Sequence, residues 1–396
     1  MNNDITGHTW DGDGLADDGL DALEDWEIDA LSEPWKHCPT TGVLSSAVLR
    51  KLDRLRTIQQ RRRRHGRMIA MPDPASSAHA TERSLRGTQF PRAIQLMNRT
   101  FAVLIVTLEA EGGPLPDLDA VVLTEQYVEL HLPGPRPPVA PFTTDPSRPH
   151  VWVCWADSPA LRPGDRLDPP CSPYPALVSV GWDQQGRTVL IDLEQVGVLN
   201  LTGDLDCARR LAQAIATELA AALFTLYLPV ALVGQACAEL TTVLDDIHVT
   251  TADVAVAELR SRGADLRSLL HILEADSPRA ARPHDDGSNW CSYVVLSPTP
   301  HSATAQLVDT LAAWPLATAS VVTVSPPTLP MPTGSWTLNC QSADDPVLLP
   351  GSGMPVHLQQ LDDARFADII EILTIGQRTD DVPGPDWMNP QGEAGD

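Results

Sequence analysis

The second half of the chain alternates between short apolar runs and longer stretches in which apolar residues recur with helical spacing. Runs such as "TVLIDLE" (188–194) and "SYVVLS" (292–297) are typical of buried strands, whereas "LDCARRLAQAIATELA" (205–220) has the spacing of an amphipathic helix. Further strands are predicted at 176–182, 199–201, 229–234, 319–325, 336–340, 346–350 and 355–360, and further helices at 251–273, 301–314 and 362–373. This alternation predicts an α/β domain at residues 173–375, with a mainly parallel sheet flanked by helices.

The preceding part of the chain has a different pattern. A helix is predicted from Thr81 to Ala110, a hairpin at 120–132 with its turn at Glu125-Gln126, and a further strand at 150–156. These elements indicate a small α+β domain at residues 81–157. The proline-rich segment 158–175 is interpreted as the boundary between the two domains.

The ends of the chain lack the composition of a packed core. Residues 1–45 are acidic and poor in aliphatic side chains, and residues 376–396 are rich in Gly, Pro and Asp, so both are predicted to be disordered tails. Residues 46–80 are predicted to form a basic helix followed by a linker. Its apolar residues form one narrow stripe of Val48, Leu52, Leu55 and Ile58.

The net charge of −24 excludes a chain whose whole surface binds nucleic acid, but the charge is unevenly distributed. Residues 1–35 contain eleven Asp or Glu and no Lys or Arg, whereas residues 49–67 contain nine basic residues and one acid. The candidate interaction residues are Arg61, Arg62, Arg63, Arg64 and Arg67. Three partners remain open for them, namely the acidic tail, an unidentified protein, and nucleic acid or acidic lipid headgroups.

The cysteines and the N-terminus indicate a cytoplasmic protein. Seven cysteines are scattered without a C-x-x-C pair, which favours buried free thiols in a reducing compartment. The N-terminus has no signal-peptide pattern. The uncharged run at 219–238 has the length of a membrane span, but Pro229 interrupts it and a buried helix end followed by a buried strand explains it. No membrane span is therefore expected.

The stretch "LNLTGDLDCARRLAQAIATELA" (199–220) indicates a strand, a turn at Thr202-Gly203 and a helix, an arrangement that holds phosphate in many nucleotide-binding proteins. It fits the register of the pattern G-x-x-x-x-G-K-[ST], beginning at Gly203. However, Ala208 replaces the second glycine, Arg209 the lysine, and Arg210 the hydroxyl that holds magnesium. The spacing of a phosphate loop is present without its functional residues.

Two carboxylates, Asp204 and Asp206, lie within this turn. Each unit charge about 6 Å from a phosphate charge costs roughly 3 kcal/mol at an effective dielectric constant near 20. The turn is therefore interpreted as one in which Asp204 caps the helix N-terminus and no nucleotide binds.

An active phosphate loop also needs an acid at the end of a neighbouring strand, to position magnesium and water. The predicted strand at 229–234 ends in Gly234-Gln235, and the predicted strand at 292–297 ends in Ser297-Pro298. Neither strand ends in such an acid. Asp192 and Glu194 come before the turn and are expected to face solvent. No catalytic residue, metal site, cofactor or small-molecule substrate is therefore predicted.

The run "YPALVSVGWDQQGRTVLIDLEQVGVLNLTGDLDCARRLAQAIATELA" (174–220) resembles the nucleotide-binding region of FtsK-type motor ATPases, in which a hairpin ending in a D-L pair precedes the phosphate loop. The segments "SYVVLSPTP", "ASVVTVSPP", "GSWTLNCQSADDPVLL" and "MPVHLQQLDDARFADIIEIL" follow in the order of the later strands and closing helix of such a domain. The resemblance covers about half of the chain and fails at each catalytic position. It implies a degenerate RecA-like fold and no activity.

A second resemblance spans residues 46–375. The order of "LRTIQQRRRRHGRMIAMP", "GGPLPDLDAVVL", "APFT", "YPALVSVG", "LIDLEQVGVLNLTGD" and "PVHLQQLDD" is similar to the uncharacterised central region of large actinobacterial proteins that often carry LysM and transcriptional-activator (BTAD) modules. Neither module is found here, so peptidoglycan binding and transcriptional activation are not implied. The expected function is a non-enzymatic interaction or regulatory scaffold, with a DNA-binding or transcription-associated regulator that uses residues 49–67 as the alternative.

Overall fold

Two β-sheets organise the part of the chain that the computed structural model describes, namely residues 40–161, 172–221, 223–224, 228–284, 292–313, 318–326, 328, 334–342 and 345–383. One sheet has six strands, the other has eight, and a two-stranded ribbon lies apart from both. The strands are β1 (Arg67–Met68), β2 (Ala120–Leu123), β3 (Tyr127–His131), β4 (Thr143–Thr144), β5 (Val151–Trp155), β6 (Leu177–Asp183), β7 (Thr188–Asp192), β8 (Val198–Gly203), β9 (Val230–Val233), β10 (Ile247–Thr250), β11 (Tyr293–Ser297), β12 (Ala319–Val324), β13 (Trp336–Cys340), β14 (Val347–Leu348), β15 (Pro355–Leu358) and β16 (Val382–Pro383). The α-helices are α1 (Gly42–Arg62), α2 (Ser77–Thr88), α3 (Pro91–Glu111), α4 (Leu193–Val196), α5 (Leu205–Ala220), α6 (Leu240–Val243), α7 (Ala252–Ile272), α8 (Pro278–Ala281), α9 (Thr304–Ala312) and α10 (Asp363–Gln377).

The six-stranded sheet is entirely parallel, with the order β10-β9-β11-β12-β8-β13. Successive residues of its strands point to opposite faces. Leu199 and Leu232 share a core with α5, whereas Val198 and Ala231 share another with α7 and α9. Helices thus cover both faces, which explains why these strands are almost continuously apolar. The predicted parallel α/β sheet flanked by helices is confirmed.

The eight-stranded sheet is antiparallel, with the order β14-β15-β6-β7-β2-β3-β5-β4. It contains the predicted hairpin at 120–132 and also the β6–β7 hairpin, which the sequence pattern assigns to the parallel sheet. The segment 158–175 therefore does not separate the two sheets. The cause is the pairing of β7 with β2, where Leu190 and Val121 lie opposite each other and both are fully buried.

Helix α1 is part of the core and not a free basic helix. The side chain of Thr41 caps it by accepting a hydrogen bond from the Leu44 N–H (3.2 Å), and Leu44, Val48 and Leu52 are fully buried. Residues 42–45, which were predicted to belong to the acidic tail, form its first turn. Residues 1–39 of that tail lie outside the described residues.

The predicted helix at 81–110 is two helices, α2 and α3, which are separated at Gln89 and Phe90. Pro91 occupies the first turn of α3, where its missing N–H and fixed φ are tolerated, and it disfavours helical geometry in the residue before it. Gly112 ends α3 in the left-handed conformation with φ of 71°.

Part of the predicted C-terminal tail is ordered into the fold. Helix α10 extends to Gln377, and β16 pairs with β1 in an antiparallel ribbon. Residues 384–396, the remainder of that tail, lie outside the described residues.

One helix in the described ranges, α3, is long and apolar enough to cross a membrane by length and composition. Slightly more than half of its apolar window, 56%, is buried. Phe101, Leu104 and Leu108 pack in the same core as the antiparallel sheet, which accounts for its apolar character. The run at 219–238 contains the end of α5 and the buried strand β9, as predicted.

A buried polar network joins the two sheets through α1 and α5. Glu218 of α5 accepts a hydrogen bond from the Ser179 N–H of β6 (2.8 Å), and the Ser179 hydroxyl lies 2.6 Å from the hydroxyl of Thr41. Gln359, which follows β15, donates to the Ser179 carbonyl (2.6 Å). All four residues are buried, so each polar group depends on the others for its partners.

We expect Gly181→Ala to lower the free energy of unfolding by more than about 2 kcal/mol, because a Cβ there would lie 1.8 Å from the carbonyl oxygen of His357 on β15. Gly87→Ala is the control, since a Cβ at that position of α2 has no neighbour within 4 Å. Urea denaturation of the two variants measures the difference. Equal midpoints would contradict the close approach of β6 and β15.

We expect the stability of the protein to fall as the pH rises from about 4.5 to 8 through the titration of Glu218. Burial raises the pKa of Glu218 from its ordinary value of 4.5 to about 8, so the folded state retains a proton that the unfolded state releases. Glu218→Gln, which mimics the protonated side chain, should make thermal stability less dependent on pH in this range. The control is Glu258→Gln on the exposed face of α7, which should leave the pH dependence unchanged.

Candidate nucleotide site

The turn between β8 and α5 lies where ligands bind in open parallel sheets. Strand β8 is the first strand of the sheet along the chain, yet it lies between β12 and β13. After β8 the chain continues to β9, which lies on the β12 side of β8, whereas β13 pairs with β8 on its opposite side. Such reversals of strand order open a crevice at the carboxyl ends of the strands. The predicted phosphate-loop register therefore falls at the correct place in the fold.

The turn itself is too short to surround a phosphate. Strand β8 ends at Gly203 and α5 begins at Leu205, so Asp204 alone separates them. Residues 205–208, which correspond to the loop in the phosphate-binding pattern, are helical. Gly203 has φ of 100°, and a Cβ there would lie 2.4 Å from the carbonyl oxygen of Cys340 on β13. The close approach of β13 thus explains the glycine without a ligand.

Three backbone N–H groups at the turn, those of Asp204, Cys207 and Ala208, are engaged within the protein. The N–H of Asp204 donates to the carbonyl of Cys340 (2.7 Å), and the N–H of Ala208 donates to the carbonyl of Asp204 (2.9 Å). The Asp204 side chain accepts from the Cys207 N–H (2.8 Å) and caps α5. The predicted role of Asp204 as N-cap is confirmed, and the cap occupies the position of an anion at a helix N-terminus.

Arg209, at the position of the phosphate-loop lysine, ties α5 to α10. Its Nη2 lies 3.0 Å from Oδ2 of Asp363 in the first turn of α10, and its Nη1 lies 3.3 Å from the side-chain oxygen of Gln213. The hydrogen bonds from Arg209 lower the pKa of Asp363. Arg210 is exposed, and its carbonyl accepts from the Leu361 N–H (3.3 Å).

No carboxylate stands at the ends of the neighbouring strands in the described part of the sheet. Strand β11 ends at Ser297 and β13 ends at Cys340. Strand β9 ends one residue before Gly234, and β12 ends one residue before Ser325. The hydroxyl of Ser325 donates to the side-chain oxygen of Asn200 (2.6 Å) in the interior. Among the described residues, no group of three or more His, Cys, Asp or Glu side chains is placed to hold a metal ion.

The side chain of Asp192 is fully buried and that of Glu194 is 7% exposed, so the expectation that they face solvent is wrong. Asp192 pairs with Arg279, and Glu194 forms a two-pronged pair with Arg282 at 2.9 and 3.0 Å. Ser292 also donates to Glu194. The residue pattern of β7 does not predict that these two carboxylates are buried, because the arginines that compensate their charges follow more than eighty residues later.

These two ion pairs connect the end of β7 to the segment that follows α7. Arg279 also lies 3.2 Å from Asp117, and a cleft of about 520 Å³ opens beside it. Arg136, Asp117, Arg279 and Glu194 contribute charges of both signs to its wall. Arg279 and Arg282 already have carboxylate partners, and Arg136 donates to the carbonyl of Pro114 (3.1 Å). The cluster therefore acts as a structural tie between the sheets.

The basic residues 61–67 separate into two sets. Arg64 and Arg67 both bind Asp381, at 2.9 and 2.8 Å, and these contacts hold the pKa of Asp381 well below its usual range. Arg61, Arg62 and Arg63 are exposed, and none of them forms an ion pair within the part of the chain that the structure describes. Asp381 is a partner that the sequence pattern does not indicate.

The four cysteines in the described ranges are buried free thiols, namely Cys154, Cys207, Cys237 and Cys340. Burial raises the pKa of Cys237 and of Cys340 to about 12, so these two thiols stay protonated at neutral pH. Cys38, Cys171 and Cys291 lie outside the described residues.

Comparison with known proteins finds similarity in solved structures. No family model and no curated protein matches the chain, whereas 29 chains of solved structures do. The cytoplasmic domain of the type VII secretion ATPase EccC from Thermomonospora curvata is 16% identical with a TM-score of 0.39, and the match covers 53% of this chain and 31% of that one. EssC (ATPases 2 and 3) from Geobacillus thermodenitrificans is 12% identical with a TM-score of 0.34, with coverages of 48% and 42%. The pCW3 conjugation coupling protein TcpA is 12% identical with a TM-score of 0.36, with coverages of 70% and 99%.

The strand order and the helices on both faces define an α/β domain with a parallel sheet flanked by helices. The matched structures include ATPases of secretion and a coupling protein of conjugation. The chain spans less than half the length of the matched EccC and EssC structures.

We expect Asp204→Ala to lower the free energy of unfolding by about 1 kcal/mol, because it removes the cap of α5. Asp206→Ala is the matched control, since its carboxylate is 79% exposed and lies 3.9 Å from Arg209. Denaturant titration compares the two. An equal effect of both substitutions would mean that Asp204 contributes charge and not a cap.

Proposed function

We propose that this protein is a non-enzymatic interaction or regulatory scaffold, built on an ATPase-like fold that holds no nucleotide. The observation that carries the proposal is the one-residue turn between β8 and α5. A phosphate needs a loop of backbone N–H groups around it. Here the helix begins at the positions that would form the loop, and its cap is a carboxylate.

The charges of the turn favour the same conclusion. Asp204 and Asp206 would repel a phosphate, each by roughly 3 kcal/mol at about 6 Å and an effective dielectric constant near 20. Arg209 is the cation nearest in register, but it is bound to Asp363. Arg209 could bind a phosphate only if its ion pair with Asp363 were broken. The charge of Arg209 therefore offsets little of the repulsion between the phosphate and the two aspartates.

Isothermal titration of the full chain with ATP and with GTP, each with magnesium, tests the proposal. We expect no binding at micromolar concentrations. Micromolar binding that is abolished by Arg209→Ala, and retained by Arg260→Ala on the exposed face of α7, would overturn it.

A nucleic-acid-binding regulator is the second candidate, and the exposed Arg61, Arg62 and Arg63 favour it. Arg64 and Arg67 are engaged by Asp381, so three arginines are available for phosphates. A gel shift with duplex DNA at low salt should then disappear when Arg61, Arg62 and Arg63 are replaced by Gln. The logarithm of the binding constant should fall linearly with the logarithm of the salt concentration, with a slope of roughly −0.9 for each of about three neutralised phosphates. The absence of a shift at low salt would remove this candidate.

A further inference from the structure

A groove with an apolar floor and a basic rim lies between α1 and the end of α10. Its floor includes Leu55, Ile58 and Ile69. Its rim includes Arg62, Arg63 and Arg378, together with the carboxylates of Asp380 and Asp381. We call this surface the basic groove. Its volume is about 200 Å³, and 41% of the Ile58 side chain is exposed within it. An open apolar floor beside several cations is typical of a surface that takes another segment of chain.

The rim has positive charge that the described residues do not neutralise. Both carboxylates of the rim have partners, because Asp380 pairs with Arg378 and Asp381 is bound by Arg64 and Arg67. Arg62 and Arg63 have no ion pair anywhere in the described ranges. The basic groove therefore fits an acidic segment with apolar side chains. A purely polar anion would leave its floor exposed to water.

The N-terminal segment of this same chain has that composition. Residues 17–35 contain eight Asp or Glu and no Lys or Arg, and Leu23, Trp26, Leu31 and Trp35 alternate with these acids. Residues 384–396 follow the groove residues Asp380 and Asp381 closely in sequence, but they contain only three acids. Charge complementarity thus favours the N-terminal segment.

The length of chain also permits this contact. Helix α1 begins at Gly42, sixteen residues before Ile58, which is about 24 Å along the helix axis. Leu31 is nine residues before Thr40, and nine residues span at most about 31 Å. A segment that folds back along α1 therefore reaches the basic groove.

We propose that residues 17–35 dock in the basic groove and cover Arg62 and Arg63. The acidic side chains lie against the rim, and Trp26 and Leu31 lie on the apolar floor. The basic surface is then closed by the chain itself, and a ligand for it must compete with this segment. The proposal does not depend on whether the turn after β8 binds nucleotide.

Photo-crosslinking of the full chain tests the docking. The probe is Ile58→p-benzoylphenylalanine, which keeps the groove floor apolar, and the control is the same probe at Ile272, which is 74% exposed on α7. We expect the probe at position 58 to form intramolecular links to peptides within residues 17–35, and the probe at position 272 to form none. Links from position 58 to residues 384–396, links only between two chains, or no link to residues 17–35 would each overturn the proposal.

Two variants separate docking from general charge attraction. Trp26→Ala with Leu31→Ala keeps every charge and should lower the cross-link yield at least about fivefold, which corresponds to about 1 kcal/mol. Trp10→Ala lies outside the docking segment and should leave the yield unchanged. An unchanged yield in the double variant would show that the segment is only drawn toward the arginines, and the docking would be refuted.

Discussion

The hydrogen bonds between Glu218 and Ser179 are the contact on which the arrangement of the two sheets depends. Glu218 comes from the helix after β8, and Ser179 from a central strand of the antiparallel sheet. Thr41 and Gln359 complete the network from the first helix and from the chain after β15. A buried carboxyl group is costly unless it is fully hydrogen-bonded. The network therefore selects one docking of the sheets, because any displacement would leave several buried polar groups without partners.

Internal contacts occupy the turn between β8 and α5, where the phosphate-loop register would place a ligand. Asp204 supplies the anion at the helix N-terminus, Cys340 accepts the N–H at the turn, and Asp363 supplies the anion for Arg209. These three groups have a protein partner of matching charge or polarity at the positions where the register would place a phosphate. The turn is thus stable without a ligand, and the acids that discourage a nucleotide also stabilise the helix.

Most helices and strands are predictable from the sequence, because hydrophobic periodicity is a local property. Helix α5 and its cap Asp204 are examples. The partners of each strand are not predictable in the same way, since the apolar pattern of the β6–β7 hairpin is compatible with either sheet. The same limit applies to Asp192 and to Asp381, whose arginine partners are remote in sequence. The break before Pro91, in contrast, is a local signal that the apolar periodicity of the flanking helices conceals.

Helix α1 receives its partners from distant parts of the chain. Thr41 bonds to Gln359, Gln59 bonds to the carbonyls of Ile375 and Arg378, and these contacts join residues more than 300 positions apart. During synthesis α1 and α2 emerge long before α10 exists, so much of the surface on which the apolar stripe of α1 packs is still missing. Closing such loops costs conformational entropy and slows folding. The chain therefore completes its fold late, and the buried stripe of α1 is the part that a chaperone has the longest time to bind.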